Sequence, residues 1–194
     1  LISGRSLADL QPRVALEGAL YAGNHGLEMA CAGSTVIAPG AETAGPALRS
    51  MLAKLAPELA HIPGVWIEDK HLSASVHYRL VAEESHALVE ALVRSAVQDV
   101  AALHVRPAKL IWEIRPAIAW DKGSALRWFM DRCEIPTTAT AFLGDDITDL
   151  DAFREIPDGW TFSVGDALAS AAHVRVRDPA DVTVLLEWMA GVME

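Results

Sequence analysis

Apolar and polar positions follow two rhythms along this chain, and the change falls near Trp120. Before it, short strand-like runs mix with longer helical ones. Ser6 is a good N-cap for a short helix through Ala8 to Leu10. Ala19 to Ala22 is a small apolar run ending at Gly23, which predicts a buried strand. Glu28 to Ile37 reads as extended structure with a turn at Ala32-Gly33. Leu48, Met51, Leu52 and Leu55 recur at helical spacing and predict a helix from Pro46 to Leu59. From Trp66 to Leu80 the pattern alternates in part. Leu72, Ala74, Val76 and Tyr78 fall on one side, and Ser73, Ser75, His77 and Arg79 on the other. That is a strand hairpin with one solvated or ligand-facing side. Ser85 to Leu103 reads as a long amphipathic helix, and Leu110 to Ile114 as a strand stopped by Pro116.

Beyond Trp120 the elements alternate. The pattern predicts a helix over Lys122 to Cys133, a strand over Ala139 to Leu143 and a helix over Asp149 to Ile156. A strand over Trp160 to Val164, a short helix over Ala167 to Ala171, a strand over Val174 to Val176 and a last helix over Thr183 to Met193 follow. Short apolar strands alternating with helices indicate an α/β fold, a parallel sheet doubly wound with helices on both faces. The middle of the chain, 28–112, is instead rich in hairpins. It is read as an α+β insertion interrupting the α/β core, which is then made of 1–27 and 113–194.

Composition narrows the function classes. With 52% hydrophobic residues there is ample material for a core. A net charge of -10 argues against a sequence-independent grip on nucleic acid, which needs a basic face. No apolar run approaches the length of a membrane span. Cys31 and Cys133 sit in apolar contexts and are read as two buried free thiols of a reducing compartment, hence cytoplasmic. Leu1-Ile2-Ser3-Gly4-Arg5 reads as the last residues of a buried strand running into a turn, so further residues are expected upstream.

Three segments carry candidate chemistry. In Gly144-Asp145-Asp146-Ile147-Thr148-Asp149, three carboxylates follow the end of a buried strand. Strand ends of parallel sheets face the crevice where ligands bind, and hard oxygen ligands there suit Mg²⁺. Helix capping, with Thr148 and Asp151 as a capping box, accounts for Thr148, Asp149 and Asp151. It leaves Asp145 and Asp146, whose mutual repulsion calls for a cation or a proton. A Gly-Asp-Asp triplet also marks some RNA polymerases, but this chain is too short and too acidic for one. The second segment is Trp120-Asp121-Lys122-Gly123. A lone lysine at a helix start is ordinarily a surface residue, but one helix and one strand separate Lys122 from Asp145, which points to a neighbouring strand end. A phosphate there would meet Lys⁺ and free helix N–H groups together. The third is Ser3-Gly4, a hydroxyl after a strand that can donate to a phosphate oxygen and is, alone, an ordinary turn.

In that order, Ser3, Lys122 and Gly144-Asp145-Asp146 resemble the second, third and fourth motifs of the haloacid dehalogenase superfamily. Further segments resemble one family within it, the trehalose-6-phosphate phosphatases. These are Gly23-Asn24-His25-Gly26-Leu27-Glu28, Glu68-Asp69-Lys70 with His77-Tyr78-Arg79, Glu113-Ile114-Arg115-Pro116, and Asp121-Lys122-Gly123. The likeness runs through the whole chain in the family's order. Two departures stand out: His71 replaces the usual Gly after Lys70, and Leu150 the usual Glu after Asp149. A non-Gly residue at 71 would be strained if that site needs a positive φ.

The resemblance implies a haloacid dehalogenase-like core with the insertion as its cap. It implies hydrolysis of trehalose 6-phosphate through an aspartyl-phosphate, with Mg²⁺ as cofactor and the protein a monomer. Ser3, Lys122, Asp145 and Asp146 are the implied catalytic residues, and Asp145, Asp146 and Asp149 the implied metal site. Arg5, His25, Glu28, Lys70, Arg79, Glu113 and Arg115 are the implied sugar-phosphate contacts. The family's first motif, which supplies the nucleophilic aspartate, is expected before Leu1; Asp149-Leu150-Asp151 has the spacing but begins a helix. Two other readings stand beside this one, a non-catalytic sugar-phosphate-binding module and a phosphatase for another glycosyl phosphate.

Overall fold

The computed structural model describes residues 1–31 and 33–192, which leaves Ala32 of the predicted turn and Met193 of the predicted last helix outside the described residues. Two compact units emerge, Ser3–Ala119 and a second from Trp120 onward.

The first unit opens with α1 (Leu7–Val14), capped by the Ser6 side chain, which accepts from the Asp9 N–H. Strands β1 (Tyr21–Gly23), β2 (Glu28–Cys31) and β3 (Ser34–Ile37) form an antiparallel sheet in that order. Ahead of α1, Ser3 N–H donates to Ala22 O and Ala22 N–H to Leu1 O, so the first residues run beside β1 as strand-like backbone. A larger layer follows. Helices α2 (Ala41–Leu59) and α3 (His86–Gln98) are joined by β4 (Trp66–Asp69) and β5 (Ala74–His77), and β6 (Leu103–Ala108) and β7 (Ile111–Pro116) complete a sheet of order β4-β5-β7-β6. Its core comprises Leu48, Leu55 and Leu59 of α2, Val89 and Val93 of α3, and Ala74, Val76, Trp112 and Ile114 of the sheet. Strand alternation turns the residues between them to the other face. The register Glu68↔Ser75↔Glu113↔Arg106 makes one row across that face.

The second unit alternates α4 (Lys122–Cys133), β8 (Ala141–Gly144), α5 (Leu150–Glu155), β9 (Trp160–Val164), β10 (Val174–Val176) and α6 (Pro179–Val192). Its strands form a parallel sheet of order β10-β9-β8. Parallel α/β and antiparallel α+β layers together bear out the mixed α/β expectation.

Several expectations change in detail. α2 begins at Ala41, five residues before Pro46, because its first turns are built on Ala41 and Ala44, buried but too small to register as a hydrophobic stripe. α3 ends at Gln98, and Leu103–Ala108, read as helix end and loop, is a strand. β6 is an edge strand, where Pro107 removes no needed ladder bond. Residues 167–171 form turns rather than a helix. The thiols are free but not buried: Cys133 is exposed at the end of α4, and Cys31 is half-buried. The 112/113 limit drawn for the insertion falls inside β7, whose rungs to β5 and β6 pass through Glu113, so that strand stays with the first unit.

Candidate active site

In the second unit the candidate chemistry is organised around one buried carboxylate. Strand β8 ends at Gly144, and a Cβ there would lie 2.4 Å from the Asp149 Cβ. Only glycine lets the chain fold back closely enough to enclose that side chain. Asp149 is 4% exposed. Its Oδ2 accepts from the Asp145 and Asp146 N–H groups at 3.1 and 3.0 Å, and its Oδ1 accepts from Lys122 Nζ at 2.6 Å. Both oxygens are thus committed inside the protein. Asp149 anchors the loop and fixes the lysine; it is not an open metal ligand.

Asp146 is the N-cap of the turn that follows. Its Oδ2 accepts from Thr148 Oγ1 at 2.7 Å and Thr148 N–H at 3.3 Å, and with Asp149 it completes a capping box. The box predicted for Thr148 and Asp151 is corrected. The Asp151 carboxylate pairs with Arg154 instead, and capping accounts for much of Asp146. Partial burial works against ionisation of Asp146, but the Thr148 bonds and the Lys122 charge outweigh it and hold the carboxyl below its ordinary range. The exposed Asp145 carboxylate accepts from no group among the described residues.

Lys122 is the first residue of α4. Asp121 caps the helix, accepting from Ser124 N–H at 2.8 Å and Oγ at 3.0 Å. Gly123 packs against the α5 backbone, where a Cβ would lie 2.4 Å from Asp151 O. The lysine is 8% exposed, and its ammonium carries two donors beyond the one given to Asp149.

The carboxylates of this loop fit Mg²⁺ only in one way. Among the described residues no three of His, Cys, Asp and Glu gather as a metal cage. Mg²⁺ is commonly held by one or two carboxylates, with water and phosphate completing its shell. Of the three carboxylates, the exposed Asp145 is the one whose oxygens are left open to an ion.

The first unit holds a second polar cluster, lining an open cavity of about 270 Å³ that includes Ser3, His25, Glu68, Lys70, His77 and Glu113. Glu113 lies at its centre, 6% exposed. It accepts from Ser75 Oγ at 3.0 Å and lies 3.6 Å from Lys70 Nζ and 3.7 Å from Arg115 Nε. Burial works against its ionisation, yet His25, Lys70 and Arg115 together lower its pKa from 4.5 to about 2. Burial in turn holds His25 toward the neutral form. Near neutral pH, therefore, Lys70 and Arg115 keep Glu113 ionised, and an imidazolium joins them only in acid. His25 Nε2 is 3.3 Å from Glu113 Oε2 but off the hydrogen-bonding direction, so the contact is electrostatic. Lys70, 6% exposed, donates to Gly4 O at 3.1 Å. Glu68 lies 3.9 Å from Lys70 and 3.0 Å from His77, whose ring stacks on Trp66.

Of the implied sugar contacts, then, His25, Lys70 and Glu113 gather around this cavity with Ser3 and Arg5, and Arg115 joins through Glu113. Arg5 is exposed and pairs with Asp9 at 2.7 Å. Glu28 is half-buried and accepts from the first N–H of α1, Leu7, at 2.9 Å, a helix-capping task that sequence reasoning did not assign. Arg79 is exposed in the turn after β5 and does not line the cavity. Glu68, Ser75 and His77 do, and were not singled out as site residues. The signal that finds them is strand alternation combined with the β4–β5–β7 register.

The chain is similar to known proteins along most of its length. The chain is 39% identical to a trehalose-phosphate phosphatase of Mycobacterium marinum over 94% of its own length and 49% of the relative's. It is 38% identical to one of Mycobacterium tuberculosis, over 98% and 51%. The chain therefore spans about half the length of the curated relatives it matches. Among solved structures, a trehalose-6-phosphate phosphatase related protein superposes with a TM-score of 0.84 at 22% identity, covering 98% of this chain and 80% of that one. The C-terminal domain of a trehalose synthase regulatory protein from Candida albicans superposes with a TM-score of 0.69 at 12% identity, over 94% and 77%. These two likenesses establish a shared fold. The model of the trehalose-phosphatase family matches residues 1–181, nearly the whole of the two units just described, and the chain belongs to that family.

Proposed function

We propose that the protein hydrolyses trehalose 6-phosphate to trehalose and phosphate, as a Mg²⁺-dependent phosphomonoesterase of the cytoplasm, acting as a monomer. The observation that carries this reading is the Lys122–Asp149 pair with its loop, which presents a buried ammonium and leaves the Asp145 carboxylate open at a strand end. Lys122 would direct its two remaining donors to phosphate oxygens, and the Ser3 hydroxyl would supply another. Asp145 would hold Mg²⁺ with Asp146 assisting through water, and the ion would offset charge on the phosphoryl group. Asp149 would keep Lys122 aimed. The nucleophilic aspartate would be a further carboxylate, since Asp146 caps a turn and Asp149 is enclosed.

The insertion, read as 28–112 and carried through the end of β7, would be the cap that meets the sugar. A cavity of about 270 Å³ is slightly under the ~300–1,000 Å³ of pockets that enclose drug-sized ligands, and suits one sugar ring. Lys70, Glu113, Glu68 and His77 offer donors and acceptors to hydroxyls, and a buried hydroxyl left without a partner costs about 1–3 kcal/mol. No helix is long and apolar enough to cross a membrane among the described residues.

The test is phosphate release by the full-length protein with Mg²⁺. Trehalose 6-phosphate should be turned over much faster than glucose 6-phosphate, and Lys122→Met and Asp145→Asn should each lose at least a hundredfold. Equal turnover of both substrates would remove the trehalose assignment and favour another glycosyl phosphate. No turnover at all would favour a binding module.

A further inference from the structure

Asn24 is fully buried in the first unit, in a left-handed conformation with φ 56°. Asparagine is among the few side chains that adopt this conformation readily. That conformation alone explains a residue of this type; it does not explain where the side chain goes. The amide Nδ2 donates to Lys70 O at 3.0 Å, 46 residues away, and Oδ1 accepts from the hydroxyl of Ser73, also fully buried. The Lys70 carbonyl can only accept, so it fixes which end of the amide is which, and the Ser73 hydroxyl turns its proton to the other end. Both partners belong to the loop joining β4 to β5. That loop is closed further by Lys70 N–H donating to Ser73 O at 2.9 Å and Leu72 N–H to Lys70 O at 2.8 Å. The Asn24 backbone reaches the other way, its N–H donating to Arg5 O. The carbonyl next to that one, Gly4 O, accepts from the Lys70 ammonium.

One residue thus sets both ends of the Lys70 side chain: the backbone from which it springs and the turn on which its charge rests. We infer that Asn24, with Ser73, is a positioning lock for Lys70, holding the ammonium at the cavity beside Glu113. Neither residue needs to touch a ligand for this. The lock shapes the cavity before anything enters it, so its loss should weaken ligand binding more than any chemical step. For substrate affinity the inference rests on the proposed sugar-phosphate reading; for the placement of Lys70 it does not.

Asn24→Gly separates the two roles of the residue, because glycine keeps a positive φ while removing the amide. In the full-length protein, acetylation by a water-soluble succinimidyl ester, read lysine by lysine by mass spectrometry, reports placement directly. Exposed Lys54 and Lys109 serve as references and buried Lys122 as the control for general unfolding. Asn24→Gly should label Lys70 at least tenfold faster with Lys122 still protected, and Ser73→Ala should have a smaller effect in the same direction. With trehalose 6-phosphate, KM should rise at least tenfold while kcat stays within about threefold. Asn24→Asp keeps the acceptor for Ser73 but loses the donor to Lys70, and should behave as Asn24→Gly does. Wild-type labelling of Lys70 in both Asn24→Gly and Ser73→Ala would overturn the lock. So would labelling of Lys70 and Lys122 together in Asn24→Gly when Ser73→Ala leaves Lys70 protected. A wild-type protein inert toward sugar phosphates would remove the functional reading and leave the labelling result to decide the lock.

Discussion

Glu113 is where burial and charge compete most directly. Its carboxyl drops from an ordinary 4.5 to about 2 in the folded protein, so the unfolded chain binds its proton more tightly. The stability this contributes is complete above about pH 4.5 and is lost as pH falls toward 2. At about 1.4 kcal/mol per tenfold in proton affinity it amounts to roughly 3 kcal/mol, more than half of it gone by pH 3. His25 acts in the same direction from higher pH. Burial lowers its pKa, so as pH falls through 6.5 the unfolded chain is protonated first and stability begins to decline. Urea unfolding of wild type should therefore weaken in two stages, below pH 6.5 and again below 4.5. Glu113→Gln should start less stable at pH 7, because Lys70 and Arg115 lose their counter-charge, but should show a smaller second stage, left to carboxyls such as Asp146. Parallel pH curves for the two proteins would show that Glu113 is not held ionised as described. At the same scale, one departure from the family pattern proved legible in advance. His71 has φ 68°, the left-handed conformation that glycine accepts at no steric cost. By contrast, nothing in the sequence announced that Glu28 caps α1, because its partner is a backbone group 21 residues away.

Elements with strong periodicity were readable, and their limits failed where packing rather than pattern decides. The β4–β5 hairpin was visible as alternation with one solvated or ligand-facing side; on that side Ser73 and Ser75 are buried, and Ser75 and His77 line the cavity. Both serines are satisfied by long-range partners, Asn24 and Glu113, which no local pattern reveals. β6 was missed because Pro107 reads as a break until its edge position is known. The approach of α4 to α5 was equally hidden. It depends on Gly123, whose missing Cβ admits the Asp151 carbonyl. Gly123→Ala would place a methyl 2.4 Å from that oxygen, backbone against backbone, and neither helix can yield by a side-chain rotation. The expected cost is roughly 1–3 kcal/mol, the ordinary penalty of overpacking. It should act on the site as well, since Lys122 precedes Gly123 and pairs with Asp149 just before α5. A thermal melt with phosphate-release kinetics on the same variant checks both. A variant as stable and as active as wild type would mean that the two helices separate freely.

At the scale of the molecule, fold and activity must be argued apart. The same architecture is shared with a trehalose synthase regulatory protein at a TM-score of 0.69, and one fold can host many functions. What decides catalysis is the inventory of groups at the strand end. Of the three carboxylates there, Asp149 is enclosed, Asp146 is a cap, and Asp145 is suited to a metal. An aspartyl-phosphate route needs a fourth, free to attack phosphorus. We therefore expect the 194-residue chain alone, with Mg²⁺ and trehalose 6-phosphate, to release no phosphate above background, while the full-length protein does so readily. Positioning by Lys122 and charge neutralisation could lower only part of a barrier for which phosphatases supply up to ~10²¹-fold acceleration. The isolated chain should also self-associate. β8 is an edge strand of its parallel sheet, and Trp160, Leu186 and Trp188 are exposed on the same unit, so both unpaired backbone and apolar surface face solvent. Light scattering alongside the phosphate assay separates loss of chemistry from loss of soluble protein. Monodisperse chain with no turnover would support the missing nucleophile directly. Turnover matching the full-length protein, abolished by Asp145→Ala, would place the attacking group within these residues and overturn the assignment of Asp145, Asp146 and Asp149 made from the loop geometry.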